Sequence, residues 1–194
     1  MKKKILLVLS EGFEDFEAVT VIDILTRAGV EVIVAGLVEG SVQAAYGTII
    51  LPQTTIEKVD ENFDGIVFPG GRKNAQNLAL NSRVVELIKK FNSSGKMVAA
   101  ICAAPSHVLG EAAGILRSKR STGDPAFNDK LGAAGAIITN QAVTIDGNII
   151  TGMGPGAAME FAFKLVEYLT GREIIDELKH KWRLDKKEPI QKVK

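Results

Sequence analysis

Short apolar runs, alternating with stretches of helical period, constrain this chain more than any other feature of its sequence. Lys4-Ile-Leu-Leu-Val-Leu9 is apolar from its second residue on, as a strand buried on both faces requires. Val30 to Leu37, Phe63 to Phe68, Lys96 to Ile101 and Asn148 to Thr151 read as further strands. Phe16, Val19, Ile22 and Leu25 recur every third residue and predict a helix after the first strand. Val84, Leu87, Ile88 and Phe91 form a second helical stripe, Ala103 to Ala113 reads as a helix, and Ala157, Phe161, Leu165 and Leu169 mark another with Pro155 near its start. Such alternation predicts an α/β fold with a mostly parallel sheet and helices on both faces. Residues 39–56, with Gly40, Gly47 and Pro52, read as a hairpin excursion.

The sequence shows no internal repeat and no linker, so residues 1–194 are read as one domain. Beyond Gly171, Ile174, Ile175, Leu178 and Trp182 keep helical spacing. They fit a last helix docking on the body, with a subunit contact as the alternative. From Asp185 the chain is charged and reads as a frayed end.

Lys+Arg number 24 against Asp+Glu 23, a net charge of +1 that offers nothing to nucleic acid. No apolar stretch reaches the roughly 20 residues of a membrane span, and the run Ile5 to Leu9 is too short for the core of a signal peptide. The single cysteine, Cys102, forbids an intrachain disulfide and points to a reducing compartment, the cytoplasm. With one cysteine and two histidines, His107 and His180, the sequence offers no basis for a metal centre.

In open parallel sheets, ligands sit beyond the carboxyl ends of the strands. The loops there are Ser10–Asp15, Pro69–Asn74, Cys102–Pro105 and Gly152–Gly156. Cys102 stands between a strand and a helix with small Ala103 and Ala104 after it, the setting of a nucleophile elbow. A helix N-terminus there lowers the pKa of a thiol; a lone cysteine also serves as a small buried hydrophobe. Gly70 and Gly71 let backbone N–H groups approach a ligand, and Gly71 N–H is placed to hold an oxyanion. Glu14 and Asp15 suit a helix N-terminus, whereas Glu17, between Phe16 and Ala18, is positioned as a buried carboxyl of raised pKa. Glu14, Gly70, Arg72, Gly154 and Pro155 complete the candidate pocket.

Two other signals are weaker. Gly152-Met-Gly-Pro-Gly-Ala157 matches a dinucleotide fingerprint, yet no later strand brings an acidic residue to a ribose, so it reads as a tight turn walling the pocket. His107 lies five residues beyond Cys102, which on a helix turns it about 140° away and argues against a Cys–His pair.

Taken together, Ser10-Glu-Gly-Phe-Glu-Asp-Phe-Glu17, Phe68-Pro-Gly-Gly71, Ala75-Gln-Asn-Leu78, Ala99-Ala-Ile-Cys-Ala-Ala-Pro105 and Gly154-Pro-Gly156 resemble the ThiJ/PfpI, or DJ-one, family over nearly the whole chain. The branch most similar is that of YajL and the Parkinsonism-associated deglycase. The resemblance implies a flavodoxin-like three-layer sandwich and a homodimer. It implies Cys102 as the reactive cysteine, Glu17 as the pocket glutamate, and the N–H groups of Gly71 and Ala103 as oxyanion donors. It also implies small reactive carbonyl compounds as substrates, without metal or cofactor, in a glyoxalase- or deglycase-like reaction. The alternative is a redox-responsive sensor or holdase; a cysteine peptidase is disfavoured because Ala103 stands where peptidase members have histidine. The pocket histidine of some members falls near Gly123 or Asp124, the hairpin arginine near Tyr46 and another arginine at Met153, while Arg27 matches a family arginine near the subunit interface.

Overall fold

The run Lys4–Leu9 forms β1, whose residues from Ile5 to Leu9 are all fully buried, as an interior strand must be. A computed structural model describes residues 2–60 and 62–184. Its chain continues through α1 (Asp15–Arg27), β2 (Glu31–Gly36), the hairpin β3 (Val42–Gln43) and β4 (Ile49–Ile50), β5 (Thr54–Thr55), β6 (Gly65–Phe68), α2 (Arg72–Leu80), α3 (Ser82–Ser93) and β7 (Met97–Ile101). A π-type helix (Pro105–Ala112) follows, then β8 (Arg120–Ser121), α4 (Asn128–Ala133), β9 (Ile137–Ile138), β10 (Val143–Asp146), β11 (Ile149–Gly152), α5 (Ala158–Thr170) and α6 (Glu173–Lys181).

The main sheet has seven strands in the order β10-β11-β7-β6-β1-β2-β5, all parallel except β10. Side chains of one strand alternate between its two faces. Ile5, Leu7 and Leu9 accordingly join α1, α5 and α6 in one core layer, and Leu6 and Val8 join α2, α3 and the π-type helix in the other. The result is the flavodoxin-like three-layer sandwich. On α6, Ile175 and Leu178 are buried against the first layer and Trp182 meets the Phe163 ring at 6.3 Å, so this helix docks on the body. The charged stretch from Asp185 lies outside the described residues.

Three local expectations are corrected. On α1 the core face is Ala18, Val21, Ile24 and Leu25, while Phe16 and Val19 are 53% and 45% exposed. A strict three-residue series drifts around a 3.6-residue helix, so the buried stripe must mix steps of three and four. Helix α2 was not anticipated, because its nine residues carry only Ala75 and Leu78 as a buried apolar edge. Strand β10 is also additional; its polar Thr144 and Asp146 conceal its antiparallel pairing with β11.

Phe161 is fully buried where α5 meets the sheet. Phe161→Ala is expected to cost about 3–5 kcal/mol of unfolding free energy, read from the urea midpoint at unchanged slope.

Candidate active site

Parallel β1, β6 and β7 are neighbours, so the loops leaving their carboxyl ends meet at one sheet edge. The loop after β7 delivers Cys102, whose φ of 63° lies in the left-handed region that a non-glycine residue seldom occupies. This strain turns the chain sharply from strand to helix and lifts the thiol over the edge. Cys102 N–H still donates to Gly152 O at 3.0 Å, so the elbow is pinned to the neighbouring strand.

The loop after β6 lies against the elbow. A Cβ placed on Gly70 would stand 2.5 Å from Cys102 Cβ and 2.7 Å from Glu17 Oε2, so only glycine permits this approach. Gly71 has φ 85°, and a Cβ there would run into the backbone of Gly12 and Phe13. The N–H groups of Gly71 and Ala103 both face the sulfur and favour its charged form.

Glu17 enters from the first turn of α1 and is completely buried. Its Oε2 accepts the Gly70 N–H at 2.7 Å, whereas Oε1 has no partner. Burial, aided by the charges of Glu14 and Asp124, raises its pKa from 4.5 to about 8, against the downward pull of the hydrogen bonds from Gly70 N–H and the Cys102 side chain. Glu17 is therefore a neutral acid below that pH, with its proton belonging on Oε1. Glu14 caps α1, accepting the Glu17 N–H at 2.7 Å.

The thiol behaves differently from the expectation of a depressed pKa. Burial first, then the charges of Glu17 and Asp124, push Cys102 up to about 12 despite the Gly71 and Ala103 donors. Below pH 8 a neutral Glu17 no longer repels the thiolate, but burial and Asp124 still act in the same direction. The regular helix begins only at Pro105, too far along to offset this loss of water.

A cleft of about 530 Å³ opens above the sulfur, lined by Glu14, Arg72, Ala103, Asp124 and Pro155 among others, with Tyr46 of the hairpin on its rim. A second, of about 360 Å³, runs past Met153, Gly154 and Pro155, and Cys102 and Asp124 belong to both. Gly70 is buried behind the thiol. A larger cleft, about 670 Å³ between Leu37, Ile49 and Leu80, holds neither Cys102 nor Glu17. Its size does not make it the chemical site. The hairpin is fixed to the active edge because Asp15 accepts the N–H groups of Tyr46 and Thr48 at 2.8 and 2.9 Å.

Two further residues complete the geometry, the first of them not singled out in the sequence. Asn74, fully buried, accepts Ser10 N–H at 2.7 Å and donates to Pro69 O and Gly70 O at 2.9 and 3.1 Å, bolting the β1 and β6 loops together. Its place one turn into a polar helix is the only cue. Asp124, left open between two positions in the sequence, lies 3.9 Å from Cys102 Sγ through Oδ2. His107 is buried, with Nδ1 3.0 Å from Ala103 O and its ring edge-on to Phe127, and forms no Cys–His pair. Arg27 pairs with Asp23 at 2.9 Å and lies over Trp182. Among the described residues no cluster of side chains has the make-up of a metal site, and no helix is long and apolar enough to cross a membrane.

The model of the DJ-1/PfpI family matches residues 3–168. "Protein DJ-1 homolog A" of Arabidopsis thaliana is 38% identical over 178 residues, 91% of this chain; the chain spans only 45% of that relative's length. "Glutathione-independent glyoxalase DJR-1.2" of Caenorhabditis elegans is 36% identical over 173 residues, covering 89% of this chain and 91% of the relative. The crystal structure of Drosophila melanogaster DJ-1beta superposes with a TM-score of 0.88 at 35% identity, over 94% of this chain and 98% of that one.

Glu17 holds its proton more tightly in the folded chain than in the unfolded one. Its contribution to stability is thus full below the unfolded pKa of 4.5 and is lost as pH rises through about 8. At about 1.4 kcal/mol per pKa unit, Glu17→Gln should remove a decline of a few kcal/mol. Urea titrations of both proteins at about pH 5 and about pH 8 test this; parallel stability curves would mean that Glu17 is already ionised in the fold.

Proposed function

The chain belongs to the DJ-1/PfpI family, and on that premise we propose that it converts small 2-oxoaldehydes, such as methylglyoxal or its early adducts with amines and thiols, into hydroxy acids. The observation that carries this reading is the fully buried Glu17 carboxyl, its pKa pushed up to about 8, beside the Cys102 thiol and two converging N–H groups. A relative bears the name glutathione-independent glyoxalase.

In this reading Cys102 sulfur attacks the aldehyde carbon. The S–C bond forms as the carbonyl pair moves to oxygen, where Gly71 and Ala103 N–H hold the charge. Neutral Glu17 gives that oxygen its proton and becomes a carboxylate. It then takes the hydrogen from the thiol-bearing carbon and returns it to the adjacent carbon. The hydroxyl proton passes to the neighbouring oxygen, which leaves a 2-hydroxyacyl thioester. Water cleaves the thioester: its hydroxyl completes the hydroxy acid, its other proton restores neutral Glu17, and the thiol is released. The cleft walls, with Glu14, Arg72, Gly154 and Pro155, orient the small substrate, and every step uses the chain's own groups.

A second reading uses the same residues. Oxidised to a sulfinic acid, Cys102 would accept a hydrogen bond from neutral Glu17, so the protein would act as a sensor or holdase under oxidative stress in the cytoplasm. The protonated state of Glu17 favours this as well. A peptidase is poorly supported, since Ala103 follows the cysteine and His107 is held elsewhere.

Purified protein incubated with methylglyoxal is expected to consume aldehyde and release lactate. Cys102→Ser should lose at least about 10²-fold, and Glu17→Gln about 10²–10⁴-fold, in lactate formation. Wild-type turnover in Glu17→Gln would remove Glu17 from the proton transfers. No lactate from the wild type, together with stoichiometric sulfinate after mild peroxide, would favour the sensor.

Phe16 and Val19 on the outer face of α1 are large apolar side chains left exposed, which supports a homodimer through this surface. Light scattering is expected to give twice the chain mass at micromolar concentration; the mass of one chain would defeat the dimer.

A further inference from the structure

The sulfur opens onto two clefts of different character. The first, of about 530 Å³, holds the Gly71 and Ala103 donors and carries Glu14, Tyr46, Arg72 and Lys73 on its walls. The second, of about 360 Å³, shares Cys102, Asp124 and Pro155 with the first. Its other walls are Pro125, Ala142, Met153, Ala157 and two glycines, without a charged or hydrogen-bonding side chain among them. We infer that this second cleft is the subsite for the substituent of the substrate, and that the preferred class is the 2-oxoaldehyde bearing a branched alkyl group larger than methyl. The inference rests on the reading that Cys102 attacks the aldehyde carbon.

The direction follows from the bonds of that carbon once the sulfur has added. Its oxygen turns to the Gly71 and Ala103 N–H groups, which face the sulfur and border the first cleft only. Its hydrogen must face Glu17, the completely buried carboxyl that holds Gly70 N–H. The remaining bond, to the second carbonyl and its substituent, has to leave on the side away from the donors. There the second cleft runs past the sulfur.

Backbone bonds hold the walls in shape. Met153 N–H donates to Ala142 O at 2.9 Å, tying the residue after β11 to the residue before β10. Ala157 N–H donates to Gly154 O at 2.8 Å and folds the turn between them. Asp124 Oδ1 accepts Ala126 N–H at 3.0 Å, which sets the turn carrying Pro125. A Cβ on Gly154 or Gly156 would meet nothing within 4 Å, so the cleft is open where these glycines line it. Met153 is half-buried, and its unbranched thioether adapts to the group laid against it.

In small-molecule sites a few polar groups fix orientation and apolar walls supply most of the contact. A methyl group leaves most of this cleft empty, and each further carbon set against its walls removes more apolar surface from water. One methylene in an apolar pocket changes kcat/KM by about 10–200-fold, and an open cleft belongs at the low end of that range.

The test compares methylglyoxal with isobutylglyoxal, in which isobutyl replaces methyl and both carbonyls are unchanged. For hydroxy-acid release, kcat/KM is expected to be at least about tenfold higher with isobutylglyoxal. Met153→Gln keeps the length of the side chain and makes it polar, and Ala142→Leu fills the cleft. Each should lower the ratio of the two kcat/KM values at least about fivefold, a ratio that general damage to the site does not move. An equal or lower kcat/KM for isobutylglyoxal in the wild type, or a ratio unaltered in both variants, overturns the proposal. Thermal melting checks the fold; should Ala142→Leu unfold the chain, Met153→Gln is read alone. Iodoacetamide and N-isobutyl iodoacetamide read the subsite without turnover, since both label the single cysteine, the S–C bond forming as iodide leaves. If neither aldehyde yields a hydroxy acid, the aldehyde reading fails and this pair decides the subsite. It stands if the N-isobutyl reagent, each rate being divided by that with a free thiol, is favoured at least about threefold and loses this advantage in Met153→Gln. It falls if no such preference is seen.

Discussion

The site depends on one close approach, Gly70 against Cys102. With no side chain at position 70, the β6 loop packs directly on the elbow and its N–H reaches the Glu17 carboxyl at 2.7 Å. A methyl group there would collide with both the cysteine and the glutamate. The left-handed backbone of Cys102 and the positive φ of Gly71 are two sides of the same contact. Such strain persists only where the surroundings over-determine it. Here the Cys102–Gly152 and Asp124–Cys102 backbone bonds and the Asn74 bolt do so.

The sheet topology brings these parts together. β7, β6 and β1 lie side by side and parallel, so residues from three distant stretches of sequence meet at one edge. The helix after β1 packs on one face and those after β6 on the other, which opens the crevice between them. Glu17 arrives along one wall of this crevice and Gly71 along the other. Glu17 is buried and Gly71 half-buried, and the loss of water between the two walls makes the thiol and the Glu17 carboxyl resist ionisation.

Much of this was readable from residues. The apolar runs located five of the seven main-sheet strands, and the Gly-Gly pair and the Cys-Ala-Ala turn pointed to the sheet edge where Gly71, Cys102 and Glu17 meet. Glu17 stood out as a carboxyl among apolar neighbours. What escaped notice depends on contacts between stretches far apart in sequence. Asn74 is an ordinary polar residue until the Ser10 loop lies over it. The choice between Gly123 and Asp124 required the path of a loop that follows two-residue β8. The direction of the thiol's pKa could not be read from a helix start, because it is settled by how much water the neighbouring loops remove and by two carboxyls contributed from elsewhere. The inner face of α1 was likewise ambiguous while both of its faces carry large apolar residues.

The same carboxyls limit what the cleft can accept. Glu14 and Asp124 line the cleft over the sulfur, while Arg72 stacks on Phe127 at 5.4 Å and Lys73 is paired with Glu11 at 2.8 Å. An anionic substrate would have to lose its hydration beside these carboxyls, where the low-dielectric surroundings strengthen repulsion. A neutral dicarbonyl meets no such barrier, and its oxygens find the two N–H donors that an anion would also need. On the proposed reading, the carboxyls that bear on the thiol also favour uncharged electrophiles over anions. On that reading the carbonyl takes up its charge beneath the Gly71 and Ala103 N–H groups as the sulfur attacks, so the donors that face the sulfur serve the step itself.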